Sequence, residues 1–242
     1  MAEQIEGKNP VLEALRANHE IVKIYILKEE TGPYLEIAGL AHQKKIPVTP
    51  VDSKVLDRMA TSRNHQGVIA VAAEWKYAQV SEMLKSAAGK NEPPFLLLLD
   101  GVEDPQNLGS IIRTAEAAGV HGIIIPERRS VGLTAVVSRA SSGAIEHIPV
   151  ARVTNLTKTI EELKKEGLWF TGADMNATKP FHDSDLKGPI GIVMGGEGSG
   201  ISRLVKEHCD QLVRLPMWGR INSLNVSVAT GIILYEVRRQ RS

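Results

Sequence analysis

Ile190-Gly-Ile-Val-Met-Gly-Gly-Glu-Gly-Ser-Gly-Ile201 decides how the second half of this chain folds. The apolar run Ile190 to Met194 reads as a buried strand. The glycine loop Gly195-Gly-Glu-Gly-Ser-Gly200 follows at once, and Ser202 is placed to cap a helix reaching His208. A strand, a glycine loop and a helix in this order are where phosphate cradles occur. The common cradles do not fit. A Walker loop needs Lys where Ile201-Ser202 stand. A dinucleotide loop needs its last glycine where Ile201 stands, and Glu197 would repel a phosphate. Two explanations remain: a tight turn before a helix, or a backbone that must pass close to other backbone or to a ligand.

Outward from this stretch, helices and strands alternate. Phe95-Leu-Leu-Leu-Leu99 is a continuous apolar run, as in a strand covered on both faces. It precedes a helix from Ser110 to Ala118, the strand Gly122-Ile-Ile-Ile125, a helix from Thr134 to Ser141 and the strand His147-Ile-Pro-Val150. Asn155 can cap a helix from Leu156 to Glu166. Leu168 to Thr171 and Gln211 to Leu215 complete the strands, and Val226 to Arg239 forms the last helix. This alternation predicts an α/β domain, residues 93–242, with a mostly parallel sheet between helices. Residues 1–75 read as a smaller α/β unit. It has helices at Val11 to Ala17 and Tyr34 to Lys45, and strands at Ile21 to Ile26, Ile46 to Val48 and Val68 to Val71. The polar, turn-rich Gly89-Lys-Asn-Glu-Pro-Pro94 places a linker at 76–92, with a short helix near Ser81 to Ala87.

Composition narrows the class. The 242 residues are 43% hydrophobic, enough for a packed core. No apolar run is long enough for a membrane span, and Met1 to Glu6 carries no signal-peptide pattern. Cys209 is the single cysteine, which rules out an internal disulfide and suits a cytoplasmic protein in which it is an inert buried thiol. None of the histidines sits at metal-ligand spacing, so no metal is expected. The net charge is only +1, so bulk charge does not point to nucleic acid. Any RNA surface must come from local clusters such as Arg128, Arg129 and Arg139, or from doubling a patch in a dimer.

Two more segments carry polar side chains in informative places. In Asn107-Leu-Gly-Ser-Ile-Ile-Arg113, Asn107 can cap the following helix and Arg113 can pair with Glu116 one turn on. In Asn222-Ser-Leu-Asn225, Ser223 or Asn225 can cap the final helix. That helix is apolar nearly all round, so it is buried within the chain or lies at a subunit interface. Its small residues, Ser227, Ala229, Thr230 and Gly231, would let another helix approach closely.

Taken in order, Asn107 to Arg113, Gly195 to Gly200 and Asn222 to Asn225 resemble the three motifs of the trefoil-knotted SPOUT-class RNA methyltransferases. The resemblance is to the TrmH/SpoU family, which methylates ribose 2′-hydroxyls. It covers essentially the whole chain. Residues 1–75 look like a small L30e-like RNA-binding domain, and Arg63-Asn-His-Gln-Gly67 is similar to a segment of that domain. The resemblance implies a deep knot in the last ~50 residues, although true knots are otherwise essentially absent from proteins. It also implies a homodimer and a site for S-adenosyl-L-methionine built from Gly195, Leu215, Met217 and Leu224. The family's catalytic arginine maps to Arg113. Asn107, Glu197, Ser223 and Asn225 map to its remaining polar positions. Length and domain order are most similar to bacterial enzymes that methylate a guanosine ribose in the peptidyl-transferase region of 23S rRNA. The same chemistry on tRNA is an alternative, as is an RNA-binding ribosome-assembly protein without catalysis.

Overall fold

The computed structural model describes residues 3–17, 19–28, 33–60 and 65–242. The chain begins β1 (Glu3–Glu6), α1 (Lys8–Arg16), β2 (Ile21–Leu27), α2 (Pro33–Gln43), β3 (Val48–Val51), α3 (Ser53–Met59) and β4 (Val68–Ala72). It continues α4 (Val80–Gly89), β5 (Phe95–Asp100), α5 (Pro105–Ala117), β6 (Gly122–Pro126), α6 (Ala135–Ala140), β7 (Val150–Val153) and α7 (Leu156–Lys165). It finishes β8 (Trp169–Ala173), β9 (Ile190–Gly195), α8 (Arg203–His208), β10 (Gln211–Val213) and α9 (Val226–Arg241). Two compact units result. The first takes in residues up to Lys76 together with Leu133–His147, and the second is Tyr77–Gly132 with Ile148–Ser242.

The first unit is built on a four-stranded sheet in the order β1-β4-β2-β3. β4 runs antiparallel to both its neighbours, and β2 and β3 are parallel. Ile5, Leu15, Ile24, Ile37, Leu56 and Ile69 are fully buried in its core. Strand β1 gave no signal in the sequence, because Glu-Gln-Ile-Glu offers one apolar side chain. It forms because β4 supplies a complete partner, with Ile5 opposite Ala70. Helix α3 was also unread, since only Leu56 of its seven residues is buried. Arg63 and Asn64 of the motif-like segment lie outside the described residues. His65 of that segment is buried, with Nε2 3.0 Å from Asp57 Oδ1.

Polar contacts tie Leu133–His147 into this unit. Arg139 donates to the buried carboxylate of Glu6 at 3.3 Å, and His147 Nε2 lies 2.7 Å from Glu13. Trp75 Nε1 donates to Glu146 at 2.6 Å. His19 Nδ1 lies 3.1 Å from the other Glu146 oxygen, and its Nε2 lies 3.0 Å from the Ala73 carbonyl. Each of these contacts with the segment joins residues more than 70 positions apart, so the sequence held no trace of them. The expected boundaries, 76–92 as linker and 93–242 as one stretch, therefore differ from the observed partition. Residues 77–92 join the second unit through α4, whose Met83 is fully buried in that unit's core.

The second unit is a six-stranded sheet in the order β10-β8-β9-β5-β6-β7, and every pairing is parallel. Phe95 to Leu99 are all fully buried on the central strand β5, as their unbroken apolar character required. Met83, Leu96, Leu98, Phe170 and Val193 form one large apolar cluster. Helix α9 packs against α5 and β9. In register, Asp100 at the end of β5 stands beside Gly195 at the end of β9. Open parallel sheets bind their ligands at such carboxyl ends, where the strand order reverses.

Both nitrogens of His19 face acceptors, an arrangement that only the doubly protonated ring satisfies. The hydrogen bond that His19 donates to Glu146 accordingly holds the His19 pKa above its usual value, against the opposing effect of burial. A raised folded value means the stabilisation is complete below the ordinary imidazole pKa of about 6.5 and is lost as pH rises through the folded value. The thermal midpoint of the wild type should therefore fall relative to that of His19→Gln as pH rises above about 6.5. A pH-independent difference between the two proteins would refute the charged assignment.

Candidate active site

The glycine loop is clamped to the end of β5 by one residue. The Asp100 carbonyl accepts from Gly196 N at 2.8 Å, and its carboxylate accepts from Ser202 N at 2.7 Å. Between these two points the loop folds back on itself, with Gly200 N donating to the Gly196 carbonyl at 3.1 Å. A Cβ on Gly195 would overlap the Gly200 carbonyl carbon, and one on Gly196 would overlap the Gly101 carbonyl oxygen. These two glycines are therefore required by backbone packed on backbone, the second of the two explanations left open by sequence. Asp100 was missed as a functional position. Its signal was a carboxylate ending an otherwise apolar strand, where it is 6% exposed. Ser202 starts α8 as expected, but its side chain makes no capping hydrogen bond.

Beside the loop lies a cleft of about 710 Å³. Gly195, Leu215, Met217 and Leu224 all line it, and so do Glu197, Ser223 and Asn225. Three separate segments thus meet there: the loop after β9, the stretch after β10 and the residues leading into α9. A further wall holds Asp174 and Lys206, paired in a close salt bridge that sequence reading did not foresee. Burial alone would raise the Asp174 pKa, but the Lys206 ammonium and the Asn176 N–H more than offset it. Its carboxyl is held below the usual carboxylate range. The cleft thus combines an apolar slot, exposed main chain and one fixed pair of charges.

At this cleft three side chains form a closed polar triangle. Asn225 Nδ2 donates to Asn107 Oδ1 at 2.8 Å and to Glu197 Oε1 at 3.0 Å. Asn107 Nδ2 donates to the same Glu197 oxygen at 3.1 Å. Asn225 Oδ1 meanwhile caps α9, accepting from Ser227 N at 2.9 Å and Val228 N at 3.4 Å. The capping role expected of Asn225 is therefore filled by its carbonyl oxygen, while its amide nitrogen joins the triangle. Asn107 does not cap α5. That helix starts earlier than expected, at Pro105, and Asp104 caps it by accepting from Asn107 N at 2.8 Å. Arg113 consequently sits in the third turn of α5 rather than the first. Its side chain is exposed, and it is not among the residues lining the cleft. Ser223 is exposed on the cleft wall.

Cys209 behaves as an inert thiol: burial pushes it up to about 12. Among the described residues no group of three His, Cys, Asp or Glu side chains is arranged to hold a metal, and no helix is long and apolar enough to cross a membrane.

The chain is similar to known proteins over nearly its whole length. The profile of the SpoU rRNA Methylase family matches residues 94–235. The profile described as RNA 2′-O ribose methyltransferase substrate binding matches residues 4–78. A Bacillus subtilis (strain 168) protein, YacO, assigned to the TrmH family of tRNA/rRNA methyltransferases, is 49% identical over 98% of this chain and 95% of its own. Among solved structures, an AdoMet-bound rRNA methyltransferase from Sinorhizobium meliloti is 29% identical, with a TM-score of 0.81 over 98% of this chain and 87% of that one. The A. aeolicus TrmH/SpoU tRNA modifying enzyme is 30% identical but covers 62% of this chain and 76% of its own, with a TM-score of 0.57.

Asn225→Ala removes the α9 cap and opens the triangle together. It should cost about 1–2 kcal/mol in urea denaturation, the upper range for losing an N-cap. Asn225→Asp keeps the capping oxygen and should recover most of that loss, while setting a second carboxylate against Glu197. Equal stability losses in the two variants would show that the cap contributes nothing.

Proposed function

This chain belongs to the SpoU rRNA methylase family, and from that membership we propose that it methylates a ribose 2′-hydroxyl of 23S rRNA, at a guanosine in the peptidyl-transferase region. The enzyme is an RNA 2′-O-ribose methyltransferase whose methyl donor is S-adenosyl-L-methionine. The cleft suits that donor. Leu215, Met217 and Leu224 offer an apolar slot for adenine, and Gly195 leaves main chain bare for hydrogen bonding. The donor supplies an electrophilic methyl group on sulfonium.

The observation that carries the catalytic reading is the Asn107–Glu197–Asn225 triangle, which fixes three distant segments at the cleft. A ribose hydroxyl is a weak nucleophile and needs help to lose its proton. A guanidinium such as that of Arg113 is a poor choice of base. Its role is to hold an RNA phosphate and stabilise negative charge developing on the 2′ oxygen. Glu197, held by two amides, orients Asn107 and Asn225 with Ser223 toward the ribose. Fixing the reacting groups in place can lower the barrier by as much as ~7–11 kcal/mol, so the hydroxyl proton can pass to solvent water as the new O–C bond forms, without a strong base among these side chains.

Several finer features belong to the same reading. Residues 1–75 act as an L30e-like RNA-binding domain, supported by the substrate-binding profile over 4–78. The second unit, Tyr77–Gly132 with Ile148–Ser242, is the catalytic domain, its tail threaded as a deep trefoil knot. The meeting of three loops at one cleft and the backbone crowding at Gly195 and Gly196 support that threading. The working unit is a homodimer. Val228, Ile232 and Tyr235 form an exposed apolar stripe on α9, at a spacing that puts them on one face. Ribosomal RNA is favoured over tRNA because the rRNA enzyme from S. meliloti aligns over nearly the whole chain, whereas the tRNA enzyme aligns over less than two thirds. The setting is the cytoplasm, and no metal is used.

Nucleoside mass spectrometry of rRNA and tRNA from cells with and without the gene tests the substrate. Loss of one 2′-O-methylguanosine from 23S rRNA is expected; a loss confined to tRNA, or a methyl found on a base, would refute it. Arg113→Ala should lower kcat by about 10²–10³-fold, as for removal of one oxyanion-stabilising group, with donor affinity unchanged by calorimetry. Near-normal turnover would remove Arg113 from the mechanism.

A further inference from the structure

The loop from Arg214 to Asn225 joins β10 to α9. Both of its ends line the methyl-donor cleft, through Leu215 and Met217 on one side and Ser223 and Leu224 on the other. Its tip does not. Trp218 is 91% exposed, more than any other large hydrophobic side chain described. Arg214 and Arg220 flank it in sequence, both exposed, and the guanidinium of neither makes a hydrogen bond or ion pair with a described residue. A bare indole with an arginine four residues before it and another two residues after it, on a loop whose ends line the reaction cleft, suits an occupant that is flat, apolar on its faces and negatively charged at its edges. An unpaired nucleotide has that chemistry: its base stacks on an aromatic ring and its phosphates meet arginine.

We propose that Trp218 is a stacking platform for an unpaired base close to the methylated nucleotide, with Arg214 and Arg220 on the flanking phosphates. This rests on the reading of the chain as an RNA ribose methyltransferase. The overall charge of +1 adds weight to it. A nearly neutral protein cannot gain its RNA affinity from bulk electrostatics, so local contacts of this kind must supply it. A second copy of the chain is a poorer occupant. Its own Arg214 and Arg220 would approach across a symmetric contact with like charge, and the stripe on α9 is the more extended apolar face.

The test measures binding and turnover of an unmodified 23S rRNA fragment that the wild type methylates. Trp218→Ala should weaken RNA binding about tenfold, within the range known for removing one stacking contact, and should raise KM for RNA more than it lowers kcat. Trp218→Phe should recover most of the affinity. Arg220→Ala should reduce the slope of log affinity against log salt by about one. S-adenosyl-L-methionine affinity and the oligomeric state, by calorimetry and light scattering, should match the wild type in every variant. Unchanged RNA affinity in Trp218→Ala, beside a wild type that methylates, would overturn this proposal alone. Loss of donor affinity without RNA would make Trp218 part of the donor cleft instead. A smaller oligomer would make it a subunit contact. A wild type that binds and methylates no RNA would overturn the functional reading as well.

Discussion

Main chain pressed against main chain, at the carboxyl ends of β5 and β9, is the constraint on which the second unit depends. Gly195 and Gly196 leave no room for a side chain because Gly200 and Gly101 already occupy the space. Asp100 locks that contact from below with its carbonyl and its carboxylate. The geometry of the loop then follows. Glu197 is carried to a fixed place where Asn107 and Asn225 can both reach one of its oxygens. The polar triangle is thus a consequence of crowding: the loop cannot relax without pushing backbone into backbone, so its one carboxylate is held still without burial.

That constraint also explains what could be read in the sequence and what could not. The unbroken run Phe95 to Leu99 announced a strand buried on both faces, since it is too short for a typical helix and lies between turn-rich segments. Strand β9 and its glycine loop were readable for the same reason, and Asn155 and Asn225 were recognisable as caps. Four separate positions, Gly195, Leu215, Met217 and Leu224, were placed at one ligand site only through resemblance to a family, because no local pattern links them. The structure brings them to one cleft.

The failures have a common physical cause. Strand β1 has little apolar character of its own and is recruited by its neighbour. Helix α5 begins at Pro105, well before the Ser110 expected, because Asp104 and Pro105 make a start signal stronger than the apolar spacing that follows. The Asp174–Lys206 pair and the Asp100 clamp each join residues far apart in the chain, at 32 and 102 positions. Local patterns report what a segment buries; they do not report which distant charge it will meet.

Leu133–His147 leaves a chain segment of the second half seated in the first unit, fastened by Arg139, Glu146 and His147. The polypeptide therefore crosses between its two units three times, not once. Dissection at a single point cannot yield either half whole. A fragment starting at residue 93 would carry Val137, Ile145 and the carboxylate of Glu146 into water with nothing to shelter them, while its complement would lose the arginine that neutralises Glu6. The two activities suggested by the two family profiles are, in this molecule, interleaved rather than modular.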